Sequence, residues 1–170
     1  MLRHPGGEAH TRRLIELSQL TNGTWLDMGA GDGSAVRTLQ SLGFDATGID
    51  LDPRGADVVQ GDYTHAPFPT AAFDGILSQC SFYVSGNVPL ALAEAARMLR
   101  PGGRLVFSDV TENVEALTEA CKKAGFTICW AEDLTPLWRE YYLEALWTQD
   151  NVCLPSGRKF RYVIIVCERM

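Results

Sequence analysis

Three alternating glycines, with one aspartate just before them and another at the end of the next strand, form a pattern suited to binding a nucleoside. Residues 25–33 read Trp-Leu-Asp-Met-Gly-Ala-Gly-Asp-Gly, a short apolar strand followed by a turn with almost no side-chain bulk. Glycine accepts positive φ and lets a ligand approach the backbone, and the helix expected from about Ser34 directs free N–H groups toward the turn. Asp50 ends the next apolar strand about 20 residues later, where a ribose-binding carboxylate belongs. The pattern predicts a nucleotide-type cofactor site on a doubly wound sheet.

The residues around the turn favour a cofactor without phosphate. A dinucleotide site reads G-x-G-x-x-G, but here the third glycine comes early, at Gly33, and Ser34 takes the sixth position. Asp27 precedes the first glycine, and its carboxylate would repel a pyrophosphate. The same carboxylate would attract the sulfonium and ammonium groups of S-adenosylmethionine, directly or through water. A nucleotide-dependent oxidoreductase is an alternative because it shares the fold, but Ser34 and Asp27 make it less favoured.

Four motifs in order resemble those of class I S-adenosylmethionine-dependent methyltransferases. Residues 26–33 resemble the first motif, and Asp50 matches the ribose acid. Gly61-Asp62-Tyr63 resembles the adenine-facing segment, residues 73–78 resemble the fourth strand, and residues 98–105 resemble the entry to the fifth. The resemblance is strongest to the small-molecule, quinone-biosynthesis-like (type 11) branch. It implies a Rossmann-like sheet of seven strands in the order 3-2-1-4-5-7-6, with strand 7 antiparallel and helices on both faces.

The resemblance also implies a set of cofactor contacts for S-adenosylmethionine and its product S-adenosylhomocysteine. Asp50 would hold the ribose, Leu51 would lie against the adenine ring, and Asp62 would face the adenine amino group. Asp50 could instead be a helix cap or a solvent-facing charge, and Asp62 an ordinary turn aspartate. The full set comprises Asp27, Gly29, Ala30, Gly31, Asp50, Leu51, Gly61, Asp62, Tyr63 and Gln79.

No residue stands out as a catalytic base. Cys80 follows the predicted fourth strand and is a candidate thiol, although nothing nearby in the sequence lowers its pKa. His4 and His10 gain weight because the N-terminal arm, residues 1–12, folds over the cofactor in the family. A sulfonium methyl is already activated, so the protein would mainly align donor and acceptor for in-line displacement. The predicted function is methyl transfer to a small molecule, and a non-catalytic S-adenosylmethionine-binding module is the alternative.

Composition sets the broad class of protein. The 170 residues suit one domain, 1–170, and the net charge of −6 argues against nucleic acid as a partner. No apolar run is long enough to span a membrane, and residues 1–7 lack the apolar core of a signal peptide, so we expect a cytoplasmic protein, monomeric or homodimeric. The five cysteines form no C-x-x-C pair, so no metal site is expected.

Alternating apolar patterns predict the elements that position these residues. A first helix over residues 11–20 would be capped by Thr11. The later segments 79–87 and 134–157, with the arm, would contact the acceptor. Trp138 and Tyr141 on the last predicted helix would pack in the core, line a flat or apolar acceptor, or form a dimer face. Strands are expected at 24–28, 45–49, 57–60, 73–79, 104–109, 126–131 and 159–167, and further helices at 33–42, 87–99, 112–124 and 134–147.

Overall fold

The computed structural model describes residues 4–147 and 159–170, and its strands join in one sheet. The strands are β1 Thr24–Met28, β2 Asp45–Asp50, β3 Val58–Gln60, β4 Phe73–Gln79, β5 Leu99–Thr111, β6 Phe126–Asp133 and β7 Arg161–Arg169. The α-helices are α1 Gly7–Leu17, α2 Ser34–Ser41, α3 Val88–Met98, α4 Val114–Lys123 and α5 Thr135–Trp147. Short 3₁₀ turns occupy Tyr63–His65 and Tyr83–Ser85. Residues 1–3 of the predicted arm, residues 148–157 of the predicted acceptor segment and Cys153 lie outside the described residues.

The sheet has the expected order, β3-β2-β1-β4-β5-β7-β6. The strands from β3 to β5 pair in parallel, whereas β7 runs antiparallel to both β5 and β6. The predicted seven-stranded topology is therefore confirmed. In such a sheet the carboxyl ends of the parallel strands meet at one edge, and the chain order reverses between β1 and β4, where open α/β sheets bind ligands.

Two apolar clusters cover the two faces of the sheet. Strand β7 shows the division, because Val163 and Ile165 join one cluster while Ile164 and Val166 join the other. This alternation follows from the two-residue period of a strand buried on both sides. Helices α3 and α4 pack on the first face, and α1 and α2 pack on the second. The expected helices on both faces are thus present.

The largest boundary differences from the sequence-based expectation are at the starts of α1 and β5. Helix α1 begins four residues early, since the N–H of His10 already bonds to the carbonyl of Gly6. The prediction of Thr11 as its cap was therefore wrong, because Thr11 lies inside the helix and is buried. Strand β5 also begins early, at Leu99, which pairs with Phe73 before the register shifts.

Candidate active site

A cavity of about 940 Å³ opens at the carboxyl edge of the sheet, across the β1–β4 reversal. This volume lies at the upper end of the range for small-molecule sites, roughly 300–1,000 Å³. Its lining includes Gly29, Ala30, Gly31, Asp50, Gln79, Cys80 and His4 from the predicted set. The fold therefore brings together the glycine turn of the first motif, the strand-end acid and the N-terminal segment.

The glycine turn after β1 depends on backbone conformations that other residues avoid. Gly29 and Gly31 have φ of 86° and 51°. A Cβ atom on Gly29 would lie 2.0 Å from Oγ of Ser81, so no larger residue fits there. The N–H groups of Gly29 and Ala30 donate to the carbonyl of Ile49, at 2.9 and 3.1 Å, which fixes the turn against β2. The bare backbone predicted for this position is present and is held in place.

Asp50 connects the turn to the end of β2. Its Oδ2 accepts a hydrogen bond from the N–H of Gly31 at 2.8 Å, and its Oδ1 accepts one from the N–H of Asp52 at 2.9 Å. Both bonds orient the carboxylate at the wall of the cavity, where it is half-buried. Each carboxylate oxygen has further lone pairs, so the group retains the capacity to accept two vicinal hydroxyls.

Asp27 lies in β1 just before the turn, outside the cavity lining, and differs from Asp50 in its surroundings. Its side chain is only 3% exposed and accepts no hydrogen bond from the described residues. Burial, with the neighbouring negative charges of Asp50 and Asp32, raises the pKa of Asp27 to about 7. A buried carboxyl without a partner costs free energy in its charged form. A cation bound beside the turn would remove that penalty, whereas a phosphate would increase it.

The predicted adenine contacts lie outside the lining of the cavity. Leu51 is 69% exposed, and the carboxylate of Asp62 accepts hydrogen bonds from the N–H and the hydroxyl of Thr64 at 2.8 and 2.6 Å. These bonds lower the pKa of Asp62 and make it the cap of the following 3₁₀ turn. Tyr63 is buried, and its hydroxyl donates to the carbonyl of Ser81 at 2.7 Å. Gly61 begins this segment, where its N–H bonds to the carbonyl of Asp50 at 2.9 Å.

The side chain of Gln79 joins the N-terminal segment to the end of β4. Its Oε1 accepts from the hydroxyl of Thr11 at 3.1 Å, and its Nε2 lies 3.3 Å from Nδ1 of His4. Burial lowers the pKa of His4, so its imidazole is neutral at pH 7. The amide nitrogen of Gln79 thus meets the imidazole of His4 at the cavity wall, and because that nitrogen donates, Nδ1 is the accepting ring nitrogen.

His10 and Cys80 are less suited to chemistry than His4. His10 is buried outside the cavity lining, with Nε2 3.3 Å from the hydroxyl of Tyr162, and burial with the nearby His4 lowers its pKa to about 4. Cys80 lines the cavity, but burial and the charge of Asp109 raise its pKa to about 12. The thiol therefore stays protonated near neutral pH and is a poor nucleophile.

Sequence reasoning missed Asp109 and Tyr162. Asp109 lines the cavity, and its carboxylate accepts hydrogen bonds from the N–H groups of Tyr83 and Val110 at 3.0 and 2.8 Å. Burial raises its pKa to about 6 against the effect of these bonds. Its position at the end of the predicted fifth strand, like that of Asp50 on the second, was an available signal. Tyr162 gave no such signal in the sequence. It is fully buried, and its hydroxyl contacts groups from distant segments, such as the hydroxyl of Ser108.

Neither a metal-binding cluster nor a membrane-crossing helix is found in residues 4–147 and 159–170. No group of three or more His, Cys, Asp or Glu side chains there is arranged to hold a metal ion. No helix in these ranges is long and apolar enough to cross a bilayer. The residues that could hold an organic cofactor are those of the glycine turn, with Asp27 and Asp50.

Comparisons with known proteins agree with this architecture. The family model described as a methyltransferase domain matches residues 26–107. A demethylmenaquinone methyltransferase of Tropheryma whipplei is 36% identical over 116 residues, covering 58% of this chain and 47% of that protein. A malonyl-[acyl-carrier protein] O-methyltransferase of Serratia marcescens is 36% identical over 93 residues, covering 49% of this chain and 36% of that protein. The chain thus spans about half or less of the length of these relatives.

Solved structures share the fold at low sequence identity. The [4+2]-cyclase SpnF has a TM-score of 0.83 at 19% identity, covering 99% of this chain and 87% of its own. Geranyl diphosphate C-methyltransferase from Streptomyces coelicolor has a TM-score of 0.78 at 18% identity, covering 95% and 79%. Over residues 26–107 the chain thus matches a methyltransferase domain of the type 11 family, and the solved structures show that it shares their fold.

Proposed function

We propose that this protein binds S-adenosylmethionine and transfers its methyl group to a small-molecule acceptor. The observation that carries the proposal is the unpartnered carboxyl of Asp27, buried just before a glycine turn whose N–H at Gly31 is fixed by Asp50. A cation adjoining a ribose satisfies this arrangement, and a pyrophosphate does not. The relatives named as methyltransferases support the same conclusion.

The proposed roles follow from the chemistry of each group. Asp50 accepts the two ribose hydroxyls, Asp27 balances the positive charge, and Gly29–Gly31 allow close approach of the ligand. Leu51 and Asp62 adjoin the adenine, with Gly61, Tyr63 and Ala30 shaping the backbone around it. When bound, S-adenosylmethionine supplies a methyl group activated by its sulfonium. The chain contributes alignment of donor and acceptor, which is worth up to about 7–11 kcal/mol in favourable cases.

We assign proton removal from the acceptor to His4 when the acceptor is a hydroxyl or an amine. The new bond joins the acceptor atom to the methyl carbon, the methyl–sulfur bond breaks with its electron pair on sulfur, and the acceptor proton passes to Nδ1 of the neutral imidazole, which gives up its bond to the Gln79 amide. His4→Gln is expected to lower kcat about 100-fold, at the low end of the effect of a general base. His65→Gln, an exposed histidine outside the cavity lining, is the control. An unchanged pH–rate profile in His4→Gln would exclude the assignment.

The direct test measures binding and turnover separately. Isothermal titration of the protein with S-adenosylmethionine, S-adenosylhomocysteine and NAD should give binding of the first two in the micromolar range and none of the third. Methyl transfer from labelled S-adenosylmethionine to a panel of phenols, carboxylic acids and amines then tests activity. Binding without product across the panel supports a non-catalytic module. Binding of NAD alone would make the protein an oxidoreductase and overturn the proposal.

The domain organisation, the kind of acceptor, the cellular compartment and the oligomeric state are part of the same proposal. All described strands join one sheet, which supports a single methyltransferase domain over residues 1–170. The net charge of −6 supports a small-molecule acceptor in preference to nucleic acid. The four described cysteines are free thiols, which supports a reducing compartment such as the cytoplasm. We propose a monomer or a homodimer, and light scattering of the purified chain distinguishes them.

A further inference from the structure

The cavity has two halves with different chemistry. The cofactor half is defined by Gly29–Asp32 and Asp50, at the ends of β1 and β2. The acceptor half is defined by apolar and aromatic residues from the loop after β4, the end of β5 and helix α5. Its members are Tyr83, Val84, Val110, Trp138, Tyr141 and Tyr142. Because β1 and β4 are neighbours in the sheet, the halves adjoin, and a volume of about 940 Å³ has room for two molecules.

The rings of the acceptor half pack against other rings. Trp138 and Tyr142 lie edge to face, with ring centroids 4.6 Å apart and planes at 70°. Tyr141 and Tyr142 are 5.6 Å apart at 82°, and Tyr83 stands edge to face with Phe160 at 5.4 Å and 86°. Such T-shaped contacts are the favoured aromatic geometry. Trp138, Tyr141 and Tyr142 therefore support one another on α5, and Tyr83 is supported separately by Phe160.

The acceptor half leaves apolar area uncovered. Val84 is 76% exposed and Tyr83 is 39% exposed, although both line the cavity. Trp138 is half-buried. Large apolar groups gathered at the mouth of a cavity mark a ligand-binding surface, whereas single exposed residues need no explanation.

The charged groups of the acceptor half already have partners. The carboxylate of Asp109 is occupied by the backbone N–H groups of Tyr83 and Val110. Arg12, which lines the cavity from α1, forms an ion pair with Glu8 at 2.8 Å. A charged acceptor would therefore have to compete with these existing bonds for an ionic partner on this side. A neutral ligand faces no such competition.

We propose that the methyl acceptor is a flat, uncharged aromatic molecule, held by its ring faces against Trp138 and Tyr83. This inference rests on the proposed function, because it assigns the cofactor to the other half of the cavity. Stacking favours a planar ring over a flexible acyl chain, since a ring meets the wall without the entropy loss of ordering a chain. The reactive group of the ring would then lie between this wall and the glycine turn.

The test uses protein saturated with S-adenosylhomocysteine and three probes in calorimetric titrations: 2-naphthol, decanoate and phosphoethanolamine. We expect 2-naphthol to bind at least about tenfold more tightly than the other two. Trp138→Ala should weaken naphthol binding at least about tenfold, Trp138→Phe should restore most of it, and the affinity for S-adenosylhomocysteine should stay within about twofold. Trp130→Ala, which removes a 47% exposed tryptophan on β6 outside this cavity, is the matched control.

A second variant keeps the test decisive if Trp138→Ala disturbs the fold. Tyr83→Leu alters the part of the acceptor half in the loop after β4 and should weaken naphthol binding in the same way. Tighter binding of decanoate or phosphoethanolamine, or no naphthol binding by a protein that binds S-adenosylhomocysteine, would overturn the acceptor class. Failure to bind S-adenosylhomocysteine would instead contradict the proposed function itself, so the two failures are distinguishable.

Discussion

The two halves of the cavity are built in opposite ways. The cofactor half comes from one continuous stretch, Gly29–Asp32, and one acid at the end of the adjacent strand, and its shape is fixed by backbone hydrogen bonds. The acceptor half is assembled from three segments that are far apart in sequence, with its shape set by packing between rings. A site built from backbone groups suits a ligand that is the same in every reaction. The shape of a site built from side chains can be altered by single substitutions.

Gly31→Val tests the claim that backbone conformation controls the cofactor half, and it should have the largest effect. A β-branched residue is strongly disfavoured at φ 51°, and its side chain would enter the cavity. We expect the affinity for S-adenosylmethionine to fall at least about 100-fold, or about 2.7 kcal/mol. Gly43→Val is the control, because Gly43 also has positive φ, at 90°, but is not part of the cavity lining. Equal affinity loss in both variants would contradict the claim.

Asp50→Ala should have the next largest effect. The change removes both the anchor of the Gly31 N–H and the proposed acceptor of the ribose hydroxyls. Hydrogen bonds to a charged group are worth about 1.5–3 kcal/mol, so we expect at least a roughly tenfold loss of affinity by calorimetry. Asp52→Ala is the matched control, since Asp52 contacts Asp50 only through its backbone N–H. If Asp50→Ala binds as well as the control, the ribose assignment is wrong.

The pH dependence of binding tests the role of Asp27. With a pKa of about 7 in the free protein, Asp27 is protonated below that pH and has no charge to offer a cation. Affinity for S-adenosylmethionine should therefore rise up to about tenfold between pH 6 and pH 8, and this rise should vanish in Asp27→Asn. S-adenosylhomocysteine, which lacks the sulfonium charge, should show a smaller rise. A pH-independent affinity in the wild type would exclude this role.

The same pKa makes a prediction about the stability of the ligand-free protein. A carboxyl whose pKa is raised on folding contributes its full stabilisation of the folded state at pH values below its ordinary pKa of 3.8. This stabilisation is lost as the pH rises through the folded-state pKa of about 7. Asp27→Asn should therefore raise the melting temperature of the free protein at pH 8 relative to wild type. The difference should shrink toward pH 4. Asp27 thus lowers the stability of the ligand-free protein in the same pH range in which its negative charge favours cofactor binding.

Asp62→Asn should have the smallest effect on affinity for S-adenosylmethionine. It tests whether the cofactor half extends as far as Asp62. Asparagine keeps the cap on the Thr64 N–H but cannot accept a further bond from an adenine amino group. The loss of one exposed hydrogen bond predicts about a threefold drop in affinity, within the 0.5–1.5 kcal/mol range. An unchanged affinity would show that Asp62 is a turn cap alone.

The sequence predicted the strands that carry the cofactor half, but it did not separate the catalytic candidates from one another. Strands 24–28 and 73–79 match to the residue, because short apolar runs between glycines and polar loops leave little choice of register. Thr11 failed as a helix cap, since its hydroxyl bonds to Gln79, 68 residues away. His4 and His10 were indistinguishable in sequence, yet only His4 lines the cavity.

The amino-acid sequence by itself determined the glycine turn and the acid that follows it, because few residues tolerate positive φ and a parallel crossover fixes where the next strand ends. Tertiary structure alone decided the ionisation of the buried groups. The pKa of Asp27 depends on burial and on two carboxylates, and that of Cys80 depends on burial and on the charge of Asp109 from β5. Such energies arise from distance and solvent exclusion, which no local pattern specifies.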